Sequence, residues 1–292
     1  MELNSQTVRA MYNSFNVIFN KAFQETEPIY TKVAMTVPST TREETYTWLG
    51  SFPSLREWLG DRTVKRLSKH GYSIVNKDWE ATVSVGRNDI EDDRIGIYKP
   101  MIEELGRSAA LHPDEIVFSL LKDGFTEKCY DGKPFFATNH PVGKQSISNL
   151  IDGTQTSPWY VMDLSKAVKP LIYQNRRSPQ FVSFTKLTDE SVFFKKEFIF
   201  GVDCRDNAGF GLWQLAVAAK VELTPDNFAE AVRMLSEMKN EEKRPLAVQA
   251  THLIVPPRWR HEALTIAKAE QIEGTTNVWR GTVDVIVVPW LA

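Results

Sequence analysis

Few residues of this chain combine the type and spacing that chemistry needs. Cys129, Asp131 and His140 fall close together, and a thiol, a carboxylate and an imidazole could ligate a metal or supply a Cys/His nucleophile pair. Their spacing matches no established motif of either kind, and a half-buried thiol beside a turn is the simpler expectation. The acidic run Asp89, Glu91, Asp92 and Asp93 could hold a hard cation, yet it lacks the alternating oxygen ligands and central glycine of a calcium loop. A solvated or salt-bridged face is expected there. Gly209-Phe210-Gly211 is the only G-x-G, but position 214 is Gln214 where a dinucleotide fingerprint needs its third glycine. No Walker-type loop, H-E-x-x-H or G-x-S-x-G occurs. No catalytic residue, cofactor site or metal site is therefore expected.

Charge patterning is more informative. Lys166, Lys169, Arg176, Arg177 and Lys186 occur with no acid between Leu164 and Leu187, whereas residues 188–206 carry five acidic against three basic side chains. That complementarity fits pairing within the chain or between subunits better than a grip on DNA. The whole chain of 292 residues has 35 Lys plus Arg against 37 Asp plus Glu, a net charge of −2, so it lacks the basic footprint of a nucleic-acid binder. Its longest apolar run, Leu215 to Ala219, falls far short of the roughly 18 to 20 residues that cross a bilayer. Met1-Glu2-Leu3-Asn4 has neither the basic nor the apolar part of a secretory signal, and Cys129 and Cys204 make no disulfide framework. A reducing, cytoplasmic site of synthesis is expected.

The elements that would position these groups follow from periodicity. Val8, Met11, Tyr12, Phe15, Ile18, Phe19, Ala22 and Phe23 make one helical stripe that must pack on the chain's own core or on a neighbour. Residues 41–96 differ: Trp48, Phe52, Trp58, Tyr72 and Trp79 stand among many charges, and Leu55 to Leu59 could form one helical turn. From Tyr72 the period is two, through Ile74, Trp79, Ala81, Val83 and Val85, which predicts strands folded into hairpins by Gly71 and Asn76-Lys77-Asp78. A helical zone follows from about Gly96 to Gly124. Pro113 either kinks it or opens a second helix, and Gly124 is expected to take a left-handed cap. Gly143 to Ser157 reads as loop and Pro158 to Lys220 as β-rich. Thr224-Pro225 starts a helix, His252 to Val255 is a buried strand, residues 258–270 form a helix and Val283 to Val288 a last strand.

Several of these segments carry a family resemblance. Tyr46-Thr47-Trp48-Leu49-Gly50-Ser51-Phe52-Pro53 with Leu55-Arg56-Glu57-Trp58, His70-Gly71-Tyr72-Ser73-Ile74, and Asp89-Ile90-Glu91-Asp92-Asp93 are three of them. Leu105-Gly106-Arg107-Ser108-Ala109-Ala110, Lys122-Asp123-Gly124-Phe125, Ala167-Val168-Lys169-Pro170-Leu171-Ile172, Ala208-Gly209-Phe210-Gly211 and Thr251-His252-Leu253-Ile254-Val255-Pro256 extend it along nearly the whole chain. In this order they resemble the major head (capsid) subunits of Mu-like bacteriophages, the gene product T family.

The resemblance implies an α+β chain with the Hong Kong 97-type phage capsid fold. It implies an N-terminal arm at 1–40 and an extended β-hairpin, the E-loop, at 41–96. A peripheral domain would span 97–222 around a spine helix at 97–124, and an axial α/β domain 223–292. One departure is the β-rich block Pro158 to Lys220 lying ahead of the axial unit, which leaves 125–222 open. The implied function is self-assembly into an icosahedral shell around double-stranded DNA, with no enzymatic activity. The expected partners are copies of itself in hexamers and pentamers, with scaffold and portal proteins, and DNA enclosed without sequence-specific binding. The expected location is the virion, after assembly in the host bacterial cytoplasm. A protruding hairpin cannot bury Trp48, Trp58 and Trp79 alone, so these, with Arg176 and Arg177, are the candidate subunit-interface residues. An encapsulin-like nanocompartment shell is the near alternative, and a soluble two-domain enzyme using Cys129 and His140 the remote one.

Overall fold

The computed structural model describes residues 4–50 and 71–292. The chain opens with α1 (Ser5–Glu25), whose Asn4 side chain accepts from Thr7 N at 2.9 Å and so caps its first turn. There follow α2 (Tyr30–Val33), β1 (Ala34–Pro38) and the paired β2 (Glu43–Tyr46) and β3 (Tyr72–Val75). Then come β4 (Lys77–Gly86), α3 (Arg87–Glu91) and the long α4 (Lys99–Asp123). Short strands β5 (His140–Val142), β6 (Gln145–Ile147), β7 (Leu150–Ile151) and β8 (Trp159–Met162) lead into β9 (Leu171–Phe184). After α5 (Glu190–Lys195), β10 (Glu197–Phe210) returns antiparallel to β9. The remainder is β11 (Ala216–Ala219), α6 (Pro225–Ser236), β12 (His252–Val255), α7 (Arg260–Lys268), β13 (Gln271–Ile272), β14 (Thr275–Thr276) and β15 (Asp284–Val287).

Two sheets organise these elements. One has the order β1-β9-β10-β4, with β1 parallel to β9 and the other pairs antiparallel. The other is mixed, in the order β15-β12-β8-β11-β7. Its inner strands are short and apolar because both faces are covered: all four residues of β8 and of β11 are buried. Phe228, Ala231 and Leu235 of α6 and Ala263, Ile266 and Ala267 of α7 belong to the same core.

A second core joins α1, the first half of α4 and the outer part of the four-stranded sheet. Val8, Met11, Phe15 and Phe19 of α1 are buried there with Ile102, Leu105, Val85, Phe198 and Phe200. Gly106 permits this approach: a Cβ on it would lie 2.5 Å from the Phe19 carbonyl oxygen, so a side chain would force the helices apart. The helical stripe therefore finds its partner in its own chain. Residues 5–25 do not reach away as an extended arm, because the stripe is too apolar to be left in water when Gly106 offers a seat.

Other expectations need correction. Of the two options at Pro113, the second helix is excluded: α4 runs through it as one element of 25 residues. Gly124 is right-handed at φ −59°, since Thr126 N and Glu127 N both return to Asp123 O and continue the turn. Asn76-Lys77-Asp78 does not fold β3 and β4 into one hairpin. The two strands enter different sheets, and β4 pairs along its length with β10. The extended-hairpin assignment 41–96 therefore narrows, within the described residues, to the β2–β3 stem. Residues 223–292 are no independent α/β unit, because β12 is hydrogen-bonded to β8 on one side and β15 on the other. The open stretch 125–222 divides between the sheets: 150–162 and 216–219 join the five-stranded sheet and 171–210 the four-stranded one.

Candidate assembly surfaces

A polar network fixes the root of the β2–β3 stem. Glu44 Oε1 accepts from Thr40 N at 2.8 Å, Ser39 Oγ at 2.9 Å, Thr41 Oγ1 at 3.0 Å and Thr41 N at 3.2 Å. The Thr40 backbone N–H, with the Ser39 and Thr41 hydroxyls behind it, holds this carboxyl below its usual value. Buried Asn76 donates to Ser39 Oγ and the Thr41 carbonyl, and buried Gln174 of β9 donates to Asn76 Oδ1 at 2.7 Å and Ile74 O at 3.0 Å. Tyr46 OH closes the network on Gln174 Oε1 at 2.9 Å, and burial pushes this phenol up to about 12. Ile74 presses on β10 so closely that a Cβ on Gly209 would stand 2.1 Å from its Cδ1. A buried network with its members satisfied is rigid, so the β2–β3 stem is held in a defined orientation on the body.

The five candidate interface residues are separated by this geometry. Trp48 stands edge-on to Tyr46 at 6.2 Å, half-buried against the main core. Trp79 lies in β4 with its ring 4.8 Å from that of His112. Both are thus partly sheltered by their own chain, contrary to the premise that a hairpin leaves them bare. Trp58, with the helical turn read at Leu55 to Leu59, lies outside the described residues. Arg176 is exposed and donates to the Ser39 carbonyl. Arg177 is paired across the sheet with Asp203 and reaches Asp78 at 4.0 Å. The basic and acidic segments therefore meet within the chain here, in an exposed pair of the kind that contributes about 0–1 kcal/mol.

Cys129, Asp131 and His140 do come together, but as a clasp. Asp131 Oδ2 lies 2.7 Å from His140 Nδ1, and its Oδ1 accepts from Lys133 N and from Cys129 Sγ at 3.2 Å. His140 Nε2 meets Asn149 Oδ1 at 3.1 Å, and its ring stacks on Trp213 at 3.9 Å. Burial raises the Asp131 carboxyl, but the His140 and Lys133 hydrogen bonds overcome this and leave it lowered. Burial pushes the Cys129 thiol far up, the reverse of what activates a nucleophile. A second group was not anticipated: His112 Nε2 lies 3.1 Å from Asp206 Oδ1, Tyr173 OH donates to Asp206 Oδ2 at 2.7 Å, and Cys204 is beside them. By donor type either trio could hold a metal, its atoms lying within 4.8 Å of one another. Both are already closed by their own hydrogen bonds. The acidic run spans α3 and the turn after it, where Asp89 accepts from Tyr98 OH at 2.6 Å and Glu91 pairs with Arg87 at 2.9 Å.

Sequence reading missed Glu44, Asn76 and Gln174, since isolated polar residues give no periodic signal. It also read Pro158 to Lys220 as β-rich without a break at Val192 to Phe194. The structure makes these three residues helical, burying Val192 and exposing Phe193 and Phe194.

Comparison with known proteins accounts for a body with such surfaces. A family model described as "Mu-like prophage major head subunit gpT" matches residues 8–291. The chain is 40% identical to the major capsid protein of Escherichia phage Mu over 305 aligned residues, covering 100% of both chains. It is 42% identical over 274 residues to the Mu-like prophage FluMu major head subunit of Haemophilus influenzae, covering 90% of this chain and 89% of the other. Among solved structures, a chain from the procapsid of bacteriophage JBD30 superposes with a TM-score of 0.87 at 40% identity, covering 99% of this chain and 100% of that one. A chain from the JBD30 capsid gives 0.83 at 32% identity, covering 93% and 95%. The α+β architecture is that of the Hong Kong 97-type phage capsid proteins.

Proposed function

This chain belongs to the Mu-like prophage major head subunit family, and we propose that its copies join in rings of five and six to form a shell around double-stranded DNA. It is a major capsid protein, a structural component of the phage head and not an enzyme. The nanocompartment alternative is not favoured, because the similarity to phage head subunits runs from end to end. One observation carries the shell reading: the match to a chain of an assembled procapsid over 99% of the present chain.

The physics of a shell fits the surfaces described. A contact between two different patches of one chain repeats head to tail and closes into a ring when the rotation permits. Arg176, exposed beside the root of the β2–β3 stem, and Trp58 would contribute to such a contact. Balanced charge suits a wall that must let its contents enter and leave, so any DNA contact would be weak and salt-sensitive. Scaffold and portal proteins would set shell size and the packaging vertex, with assembly in the host bacterial cytoplasm. Among the described residues no helix is long and apolar enough to cross a membrane.

Electron microscopy of the purified chain, alone and co-expressed with a candidate scaffold protein, tests this. Closed shells, or tubes and rings of subunits, are expected. A monomer at every concentration under both conditions would contradict the proposal, as would nanomolar duplex binding at physiological salt contradict passive enclosure.

A further inference from the structure

We propose that the tip of the β9–β10 hairpin is an assembly knob, Phe193 and Phe194 of one subunit seating in the apolar groove formed by Val83, Met101 and Leu105 on a second copy. The inference rests on the head-subunit reading. The two strands separate after the Phe184–Ile199 pair, and the chain between them is an ordered turn. Lys186 N donates to Asp189 Oδ2 at 2.7 Å, Asp189 N returns to Lys186 O at 2.9 Å, and Lys196 takes a left-handed conformation at φ 55° to enter β10. This fixes which side of α5 faces outward. Ser191 and Val192 are buried, while Phe193 and Phe194 are 76% and 72% exposed. Their rings pack edge to face on each other at 5.0 Å. Val182, Phe184 and Leu187 are exposed on the same hairpin end. Adjacent aromatics held outward on a braced turn mark an interaction site, and aromatic side chains are the usual anchors of one.

The occupant is argued from the rest of the chain. Where α4 starts across β4, Val83, Met101 and Leu105 wall an open apolar groove, with Glu104 and Ser108 completing its lining. Met101 and nearby Ile97 are about half exposed, and a methionine adapts its shape to an aromatic guest. Charge agrees: exposed Lys195 and Lys196 follow the two phenylalanines, and exposed Glu103 and Glu104 flank the groove. Knob and groove are different patches of one chain, so the contact is heterologous and repeats from copy to copy, as a shell requires.

The test uses the full chain. Phe194→Cys and Met101→Cys are made separately, at exposed positions, while native Cys129 and Cys204 are buried and shielded from reagent. The two variants are mixed before assembly and treated afterwards with a short bis-maleimide. A cross-linked dimer at least ten-fold more abundant in the mixture than with either variant alone is expected. Lys195→Glu with Lys196→Glu should cut shell yield about ten-fold, and adding Glu103→Lys with Glu104→Lys should restore it. Normal shells with no cross-link in the mixture, or unchanged yield from Phe193→Ser with Phe194→Ser, overturn the knob and leave the head-subunit reading standing. No shell or ring from the unaltered chain, alone or with a scaffold protein, overturns both.

Discussion

The two sheets solve the same problem in opposite ways. In the five-stranded sheet every residue of the inner strands β8 and β11 is buried within the subunit's own core. In the four-stranded sheet β9 begins equally buried at Leu171 to Gln174 and from Asn175 to Phe184 is half-buried or exposed at every position. A single strand thus passes from a finished core to an unfinished surface. On the assembly-knob proposal, the difference separates stability from association: the first sheet folds the subunit, and the far end of the second is where another copy would dock.

Substitutions should separate the two regions, and the largest effect on stability belongs to the closed one. Phe228→Ala removes a fully buried ring beneath the five-stranded sheet and should cost about 3–5 kcal/mol in chemical denaturation. Asn149→Ala should cost about 3 kcal/mol, because this amide donates to the carbonyls of Phe135 and Ala216, and accepts from Ala137 N. Gly106→Val would push α1 from α4 and should cost about 1–3 kcal/mol, read as faster proteolysis within residues 5–25.

A pH effect sharpens the comparison further. Asp131 ionises more readily folded than unfolded, so its contribution is complete above the usual carboxylate range and drains away as pH falls through its lowered value. The acid-unfolding curve of Asp131→Asn should lack this component of the unaltered protein. The smallest stability effect is expected at the open end. Phe193→Ser with Phe194→Ser should shift unfolding by no more than about 0.5 kcal/mol while shell yield falls. A large loss of subunit stability there would erase the distinction between the regions.

Much of the subunit's own core was legible in the sequence. The stripe from Val8 to Phe23 marked α1, and Thr224-Pro225 marked the start of α6, where Thr224 Oγ1 accepts from Asn227 N at 3.2 Å. Pro256-Pro257 ended β12 as expected. Periodicity reports how one element buries its own face; it does not report which distant strand lies beside it. Hence 223–292 read as a separate unit although β8 runs through its sheet, and Asn76-Lys77-Asp78 read as a hairpin turn although it is a crossing between sheets. The polar root was invisible for a related reason, since Glu44, Asn76 and Gln174 become partners only when residues 39, 76 and 174 are brought together. At the hairpin tip, Phe193 and Phe194 look like core residues by composition, and only the helical turn shows that they face outward.

The central claim is that subunits finish on their neighbours what their own fold leaves open. Hydrogen exchange of amides in free subunits and in assembled shells tests it most directly. Strong added protection on assembly is expected at 182–197 and around the β2–β3 stem, with β8, β11 and β12 equally protected in both states. Equal exchange at 182–197 in both states, or a rise in protection confined to the five-stranded sheet, would contradict it.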